Sequence, residues 1–508
     1  MSLDFSSQPT RLSCCNVTLH QSFDETTNRH ADKVAIYWGD DTFTYSSLRE
    51  QTQNWARHLT RDHGVQPGDR VGLWLQNSPQ FIPVLFGILS AGAVAIPINT
   101  FLKPAEVSYM LSDSGAKVLI TNAERQPILG ELTTAITGLS VIDVESLTNI
   151  PGDTVLVSRK EDDLAVLIYT SGTTGHPKGA MLSHKNLLSN VQSTVQVLDV
   201  VETDRMVVVL PMFHSFMLCV GVILPALFAM PIVIIRSLSP PKNMLMELIR
   251  HKGTILPAVP QFFRMLSSAA STIPLPLRLC VSGGAPLPRE ILREFQQRMT
   301  VPLIEGYGLS EASPVVSLNP INGLQKEESI GMPIPDVEIC VKDDHGALIE
   351  TGQTGEICVR GANVMLGYWN RPEETASTLR DGWLHTGDIG NVDADGYWHI
   401  TDRKKDMLIV NGINVYPREI EEILYQFPNV KEAAVVGVPD IKRGETPLAF
   451  VSMNEGTLLD EKLLHEHLRG KLADYKVPRQ VRVLPALPRN ATGKILKTQL
   501  RTLTASAD

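Results

Sequence analysis

The sequence predicts an α/β fold with a large N-terminal domain and a smaller C-terminal one, on three observations. Short β-branched runs alternate with helical stretches over most of the chain, which implies parallel sheets covered by helices on both faces. Between about Ile330 and Ile400 the strands shorten and glycine turns multiply (Asp344-His345-Gly346, Gly352, Gly355, Gly361, Asp395-Gly396), the texture of a small antiparallel barrel or distorted sheet. From Asp402 onward Lys and Arg outnumber Asp and Glu, whereas the body before it is acidic. That reads either as a separate small domain closing over an anionic ligand or as charge scattered over a solvated surface. The division expected is 1–402 and 403–508.

In chain order, Val34-Ala35-Ile36-Tyr37 is a strand, Ser46 to Leu59 a helix, Val71 to Leu75 a strand and Ser78 to Leu89 a helix. Pro104 to Ser112 is a helix, Val118-Leu119-Ile120 a strand, Met206 to Leu210 a strand and Pro288 to Arg298 a helix. No charge occurs between Arg70 and Lys103 or between Arg205 and Arg236, and each stretch is long enough to cross a bilayer. Gln76, Asn77, Gln80, Pro83 and Pro97 interrupt the first, and Pro211, His214, Pro225 and Pro231 the second. Such interruptions favour buried strand–loop–helix–strand units. Peripheral membrane contact stays open as an alternative.

The chain of 508 residues is 20% charged and 43% hydrophobic with a net charge of −9, which fits a soluble globular enzyme and argues against a nucleic-acid partner. Its six cysteines show no metal-ligand spacing. Cys14 and Cys15 are adjacent and the others are scattered, as expected for reduced thiols in a cytoplasmic protein. Met1 to Arg11 is polar and lacks the apolar core of a signal peptide.

The run Tyr169-Thr170-Ser171-Gly172-Thr173-Thr174-Gly175-His176-Pro177-Lys178-Gly179 follows an apolar strand (Leu164 to Tyr169) and precedes a helix expected from about Ser183. Glycines let backbone N–H groups approach phosphate oxygens, hydroxyls add donors and Lys178 adds a cation, which is what a polyphosphate site requires. The spacing is not that of a Walker A loop. Taken alone, the run reads equally as a flexible surface loop.

Five more glycine-punctuated stretches follow: Gly283-Gly284-Ala285-Pro286, Gly306-Tyr307-Gly308-Leu309-Ser310-Glu311, Thr386-Gly387-Asp388, Asp402-Arg403-Lys404-Lys405-Asp406 and Thr492-Gly493-Lys494. With these six motifs in order, from about Phe23 to Leu500, the chain resembles the adenylate-forming enzymes. That superfamily includes acyl-CoA synthetases, coumarate ligases, firefly luciferase and peptide-synthetase adenylation domains. The resemblance implies a large domain of parallel, helix-covered sheets with a small distorted β-barrel, then a smaller mobile α+β C-terminal domain. It implies ATP, Mg²⁺ and CoA as cofactors. It also implies attack of a carboxylate on the α-phosphate of ATP, loss of pyrophosphate and transfer of the acyl group to CoA. Carboxylate and triphosphate repel, so the site must neutralise charge and align both. No covalent nucleophile is needed, and no G-x-S-x-G elbow occurs.

The resemblance assigns the β- and γ-phosphates to Thr170, Ser171, Gly172, Thr173, Thr174, Gly175 and Lys178. It assigns magnesium to Glu311 with Thr173; Ser310 stands where the family usually has threonine, so the hydroxyl is kept. Gly283-Gly284-Ala285-Pro286 and Tyr307, between Gly306 and Gly308, resemble the two walls of an adenine slot. Asp388 would accept from both ribose hydroxyls and Arg403 would be a second ribose contact; either also reads as an ordinary turn or surface ion pair. Lys494 would bridge substrate carboxylate and α-phosphate, stabilising growing negative charge. Lys405 matches the hinge about which the small domain rotates, and Gly412 the segment lining the pantetheine tunnel afterwards.

His214 resembles the residue at the mouth of the acyl pocket, and the uncharged run Phe216 to Leu224 follows it. If that run lines the pocket an apolar acid is favoured; otherwise it is plain core. Gly221 is a position that would leave room for a chain. Asp381 through Gly390 and Asp402 through Glu422 look most like fatty acyl-CoA synthetases, so a medium- or long-chain fatty acid is the expected partner. An aryl acid, a carrier-protein acceptor and a catalytically silent nucleotide or acyl-CoA binder are the alternatives. A monomer or homodimer is expected.

Overall fold

A computed structural model describes residues 17–504 except 148, 171–176, 271–272, 441 and 491–492, with the side chains of 126–128 also outside the description. One seven-stranded sheet runs in the order Gly367–Tyr368, Lys178–Ser183, Leu164–Thr170, Val94–Pro97, Arg70–Leu73, Val118–Thr121, Ser140–Asp143. A nine-stranded sheet lies beside it, in which Leu303–Gly308, Leu279–Ser282, Ile255–Ala258, Met206–Val208, Ile232–Ile234 and Val34–Trp38 are parallel neighbours. Strands such as Val118–Thr121, Ile255–Ala258 and Leu279–Ser282 are buried at every position. That is why they read as unbroken apolar runs and not as alternating ones.

The two charge-free stretches fold as the proline pattern predicts. The first is strand Arg70–Leu73, helix Phe81–Ser90 and strand Val94–Pro97; the second is strand Met206–Val208, a wide helical turn Met217–Ile223, helix Leu224–Leu227 and strand Ile232–Ile234. Phe81–Ser90 is buried on all sides, and Phe86 stacks on Phe23 with ring centres 3.8 Å apart. Among the described residues no helix is long and apolar enough to cross a membrane.

Several boundaries differ from the sequence reading by two or three residues, and two of them have a visible cause. The helix expected from Ser78 begins at Phe81, because Ser78 to Phe81 is spent on a turn closed by Phe81 N–H to Ser78 C=O at 3.2 Å. The strand expected to reach Leu210 stops at Val208. Beyond it the Asn77 side chain takes over as partner, donating to Leu210 C=O and accepting from Met212 N–H, both at 2.8 Å.

Between the large sheets and the C-terminus lies the expected small antiparallel sheet. Val337–Lys342 pairs with Gly355–Gly361, which pairs with Trp383–Val392, which pairs with Trp398–Arg403. The next strand, Leu408–Val410, belongs to a different sheet with Ile413–Val415, Gly444–Met453, Val430–Asp440 and Gln480–Val483. Helices Pro417–Tyr425 and Glu461–Arg469 flank that sheet, giving the last hundred residues an α+β character. Their apolar core (Val410, Val415, Ile420, Leu424, Val435, Val451, Leu468) shares no member with the cores before Arg403.

Asn77→Ala would leave the Leu210 carbonyl and the Met212 amide buried without partners. We expect a loss of about 2–4 kcal/mol, seen as a lower urea midpoint of the large domain, with Asn77→Asp recovering only the Met212 bond.

Candidate active site

Strands Leu279–Ser282 and Leu303–Gly308 are parallel neighbours, with Val281 beside Ile304. The loop after the first, Gly283-Gly284-Ala285-Pro286, therefore leaves the sheet next to Gly306-Tyr307-Gly308 at the end of the second. Gly308 passes so close to the backbone of Pro314 that a Cβ would overlap the Pro314 carbonyl, which excludes any side chain there. Together these segments border a cavity of about 210 Å³, which Asp388, Arg403 and Lys494 also line.

Asp388 is 2% exposed and anchors the cavity. Its Oδ2 accepts from Tyr307 Oη at 2.6 Å and its Oδ1 lies 3.1 Å from Arg403 Nε. Asp388 and Arg403 face each other across neighbouring strands, so their pairing is built into the ladder. Gly387, at φ +71°, turns the chain just before the carboxylate. Burial, and then the Asp388 charge, push the Tyr307 phenol well above its usual range, so Tyr307 stays a donor.

A second cluster lies along the hairpin that carries the glycine-rich loop. Thr170 and Lys178 face each other at its loop end. Ser171, Gly172, Thr173, Thr174 and Gly175 lie outside the described residues, as does Thr492. Lys178 Nζ sits 5.5 Å above the ring of Tyr368 and 3.7 Å from Glu374. The Tyr368 hydroxyl donates to Glu311 Oε1 at 2.8 Å. This holds the carboxylate expected at the metal in one orientation. Ser310 Oγ lies 2.9 Å from Ser215 Oγ. Among the described residues no group of three or more His, Cys, Asp or Glu could hold a metal alone. One carboxylate with a free oxygen still suits Mg²⁺, which takes one or two carboxylates and completes its shell with phosphate oxygens and water.

Lys494 reaches this cleft from the last sheet. Its backbone N–H donates to Asn490 Oδ1 at 2.9 Å, closing a turn in which Gly493 has φ +82°. A Cβ on Gly493 would sit 3.4 Å from Val259 of the large domain, so the turn is seated against the opposite wall. Arg489 steadies the turn, donating through Nε and Nη2 to Glu432 Oε1 at 3.1 and 2.5 Å and through Nη1 to the Gly493 carbonyl. Enclosure, then the charge of Arg403, lowers the Lys494 ammonium to about 8. His214 is lowered to about 4 by desolvation and then by the Lys494 charge, so its ring is neutral near pH 7.

Phe216, two residues after His214, lies with its ring 3.2 Å from where Gly283 would carry a Cβ. Met217 to Leu224 is buried. The room expected at Gly221 is absent, because Met217 Sδ stands where a Cβ would go. Lys405 lies exposed in the crossing between the last two sheets. Gly412 is at the tip of the exposed hairpin Leu408–Val410 to Ile413–Val415, with φ +53° at Asn411 and +78° at Gly412, and it does not line the cavity. Sequence reasoning missed Tyr368 and Arg418. Arg418 spans the domain boundary, donating from N to Asp402 Oδ2 and from Nη1 to Ile400 C=O, both at 2.8 Å. Neither announces itself: Tyr368 follows an apolar run, Val364 to Gly367, and Arg418 is one charge among several between Asp402 and Glu422.

The chain matches the AMP-binding enzyme family over residues 23–369 and the AMP-binding enzyme C-terminal domain over 419–494. It belongs to the AMP-binding enzyme family. It is 36% identical to a long-chain-fatty-acid–CoA ligase of Yersinia pestis (95% of this chain, 94% of the relative). It is 37% identical to a feruloyl-CoA synthase of an Amycolatopsis species (92% and 95%). It superposes with a TM-score of 0.86 and 30% identity on the o-succinylbenzoate coenzyme A synthetase of Bacillus subtilis in complex with ATP and magnesium ion, covering 94% of this chain and 99% of that one.

A triphosphate would favour the charged form of Lys494 and reverse the effect of enclosure. In ¹³C-lysine NMR we expect Lys494 to titrate at about 8 in the nucleotide-free enzyme and to move upward on addition of Mg·ATP, with neighbouring surface lysines unmoved; no upward movement contradicts the contact.

Proposed function

We propose that this AMP-binding enzyme is an ATP-dependent acid–CoA ligase that activates an apolar carboxylic acid as its adenylate, a medium- or long-chain fatty acid first. The observation that carries this reading is the meeting of Lys494 with the Asp388–Arg403 pair and Tyr307 around one cavity. The domain division is taken at 402/403, where the sheet changes and the hydrophobic cores part.

Asp388 and Arg403 hold the ribose hydroxyls, and Gly284 to Pro286 and Tyr307 flank the base. The Thr170–Lys178 segment and Lys178 itself take the β- and γ-phosphates, and Glu311 would hold Mg²⁺. The ion supplies charge neutralisation on the phosphate oxygens when bound. Lys494 brings its ammonium to the carboxylate and α-phosphate, where attack drives pyrophosphate out along the line of approach and negative charge grows. A neutral His214 leaves no second cation to hold the acid in the ground state. The small domain then rotates about Lys405 to admit CoA, with Gly412 on the presented face.

An aryl acid is the second reading. The flat ring of Phe216 against Gly283 would suit a planar substrate, and the relative named as a feruloyl-CoA synthase is as similar as the fatty acid ligases.

Pyrophosphate release should require both ATP and acid, and CoA-dependent turnover should rise with fatty-acid chain length. Preference for a cinnamate-type acid selects the second reading, and silence with every acid returns the chain to a nucleotide binder. Lys494→Ala should lower adenylate formation by about 10²–10³ while leaving thioester formation from supplied acyl-adenylate within a few-fold. Equal loss in both steps contradicts the assigned role.

A further inference from the structure

The small antiparallel sheet carries two cysteines directly opposite each other, Cys340 on Val337–Lys342 and Cys358 on Gly355–Gly361. Opposed residues of an antiparallel ladder project to the same face, with Cα atoms about 4.5–5.5 Å apart. That lies inside the range of about 4.4–6.8 Å that a disulfide spans. Both thiols are free. Cys340 is half-buried and Cys358 buried, so one thiol meets solvent and the other waits behind it.

The surroundings differ in the direction such a pair needs. Lys342 and Arg360 flank Cys340 two residues away along each strand, and both lie over the ring of Trp383, at 5.6 and 4.5 Å. The Cys358 thiol first, and these two cations after it, hold Cys340 below the usual thiol range; Cys340 and burial push Cys358 above it. Cys358 also faces His385 on the third strand, Sγ to Nδ1 3.4 Å. His385 Nδ1 lies 3.3 Å from Glu356 Oε2, and Glu356 Oε1 accepts the Gly387 N–H at 3.1 Å. Glu356 Oε2 is also 3.6 Å from Lys404, at the domain boundary. Three contacts thus lead from the thiol pair to the residue that turns Asp388 into the cavity.

We propose that Cys340 and Cys358 form a reversible dithiol switch, in which a peroxide closes a disulfide across the sheet and weakens nucleotide binding at Asp388. The Cys340 thiolate attacks a peroxide oxygen, the O–O bond breaks, and the departing hydroxide takes the thiol's proton to leave as water. Cys358 then attacks the sulfenic sulfur, and its proton leaves with the hydroxyl as a second water. Two electrons pass from the two thiols to one hydrogen peroxide, and a dithiol reductant reverses the step. Bridging takes Cys358 Sγ away from His385 Nδ1, so the ring shifts against Glu356 and disturbs its hold on Gly387. The effect on nucleotide rests on the reading of Asp388 above; the disulfide itself does not.

The test uses the full chain carrying Cys14→Ser and Cys15→Ser, treated with hydrogen peroxide, alkylated and mapped without reduction. A linked peptide pair containing Cys340 and Cys358, lost with dithiothreitol, is expected. ATP binding, measured by calorimetry, should weaken about tenfold on oxidation, the loss of roughly one charged hydrogen bond. It should recover on reduction and be insensitive to peroxide in Cys340→Ser. Recovery of both residues as alkylated thiols, or of Cys340 as sulfinate without a bridge, overturns the switch. A fully bridged protein that binds ATP like the reduced one overturns its link to the cavity while leaving the ligase reading intact.

Discussion

A buried carboxylate joins the separate parts of this molecule. Asp388 hangs from the small antiparallel sheet, accepts a hydrogen bond from Tyr307 of the nine-stranded sheet, and pairs with Arg403, the last residue of the strand Trp398–Arg403. Taking such a group out of water costs several kcal/mol unless each oxygen is satisfied. Here one oxygen faces a phenol and the other a guanidinium, so both are satisfied and the three elements are tied together at this point. Gly387 and Gly308 are the geometric counterpart, one turning the carboxylate inward and the other letting two backbones touch beside it.

The environment around this centre is unfavourable for the charge of Lys494. Lys494 is driven toward its neutral form by desolvation and by Arg403. Two further carboxyls near the boundary, Glu305 of the large domain and Glu422 of the small one, are each raised to about 7 by burial, with Arg418 opposing the rise in both. Polar contacts tie the two sides: Arg418 to Asp402 and Ile400, and Arg264 Nη1 to Lys431 C=O at 2.8 Å. No apolar cluster crosses the boundary among the described residues. An interface of this kind favours relative motion over permanent docking.

The layered body was legible because its signals are local and repeated. Strands buried on both faces must be apolar throughout, helix caps such as Ser183 with Asn186 leave a short signature, and uncharged segments broken by proline favour the interior over a membrane span. Motif order is what pointed to the individual site residues, since glycine and its polar neighbours fall where backbones must come close. What stayed hidden depends on contacts between distant segments. Nothing near Asn77 announces that it finishes a strand 130 residues away, and nothing near Gly221 shows that Met217 fills its space. Tyr368 reads as a turn aromatic until its hydroxyl is found on Glu311.

The same logic explains why the acyl side is less determined than the nucleotide side. ATP presents a fixed set of charges and donors, so its partners must be particular polar groups on particular turns. An apolar chain asks only for volume without charge, and that is set by packing among Phe216, Met217 and their neighbours rather than by any one of them. Met217 occupies the space beside Gly221, and the Phe216 ring lies against Gly283. Length selectivity in an acyl slot depends on where its far end is plugged. A change of one methylene there is worth about 1–3 kcal/mol, enough to separate relatives that share every phosphate contact.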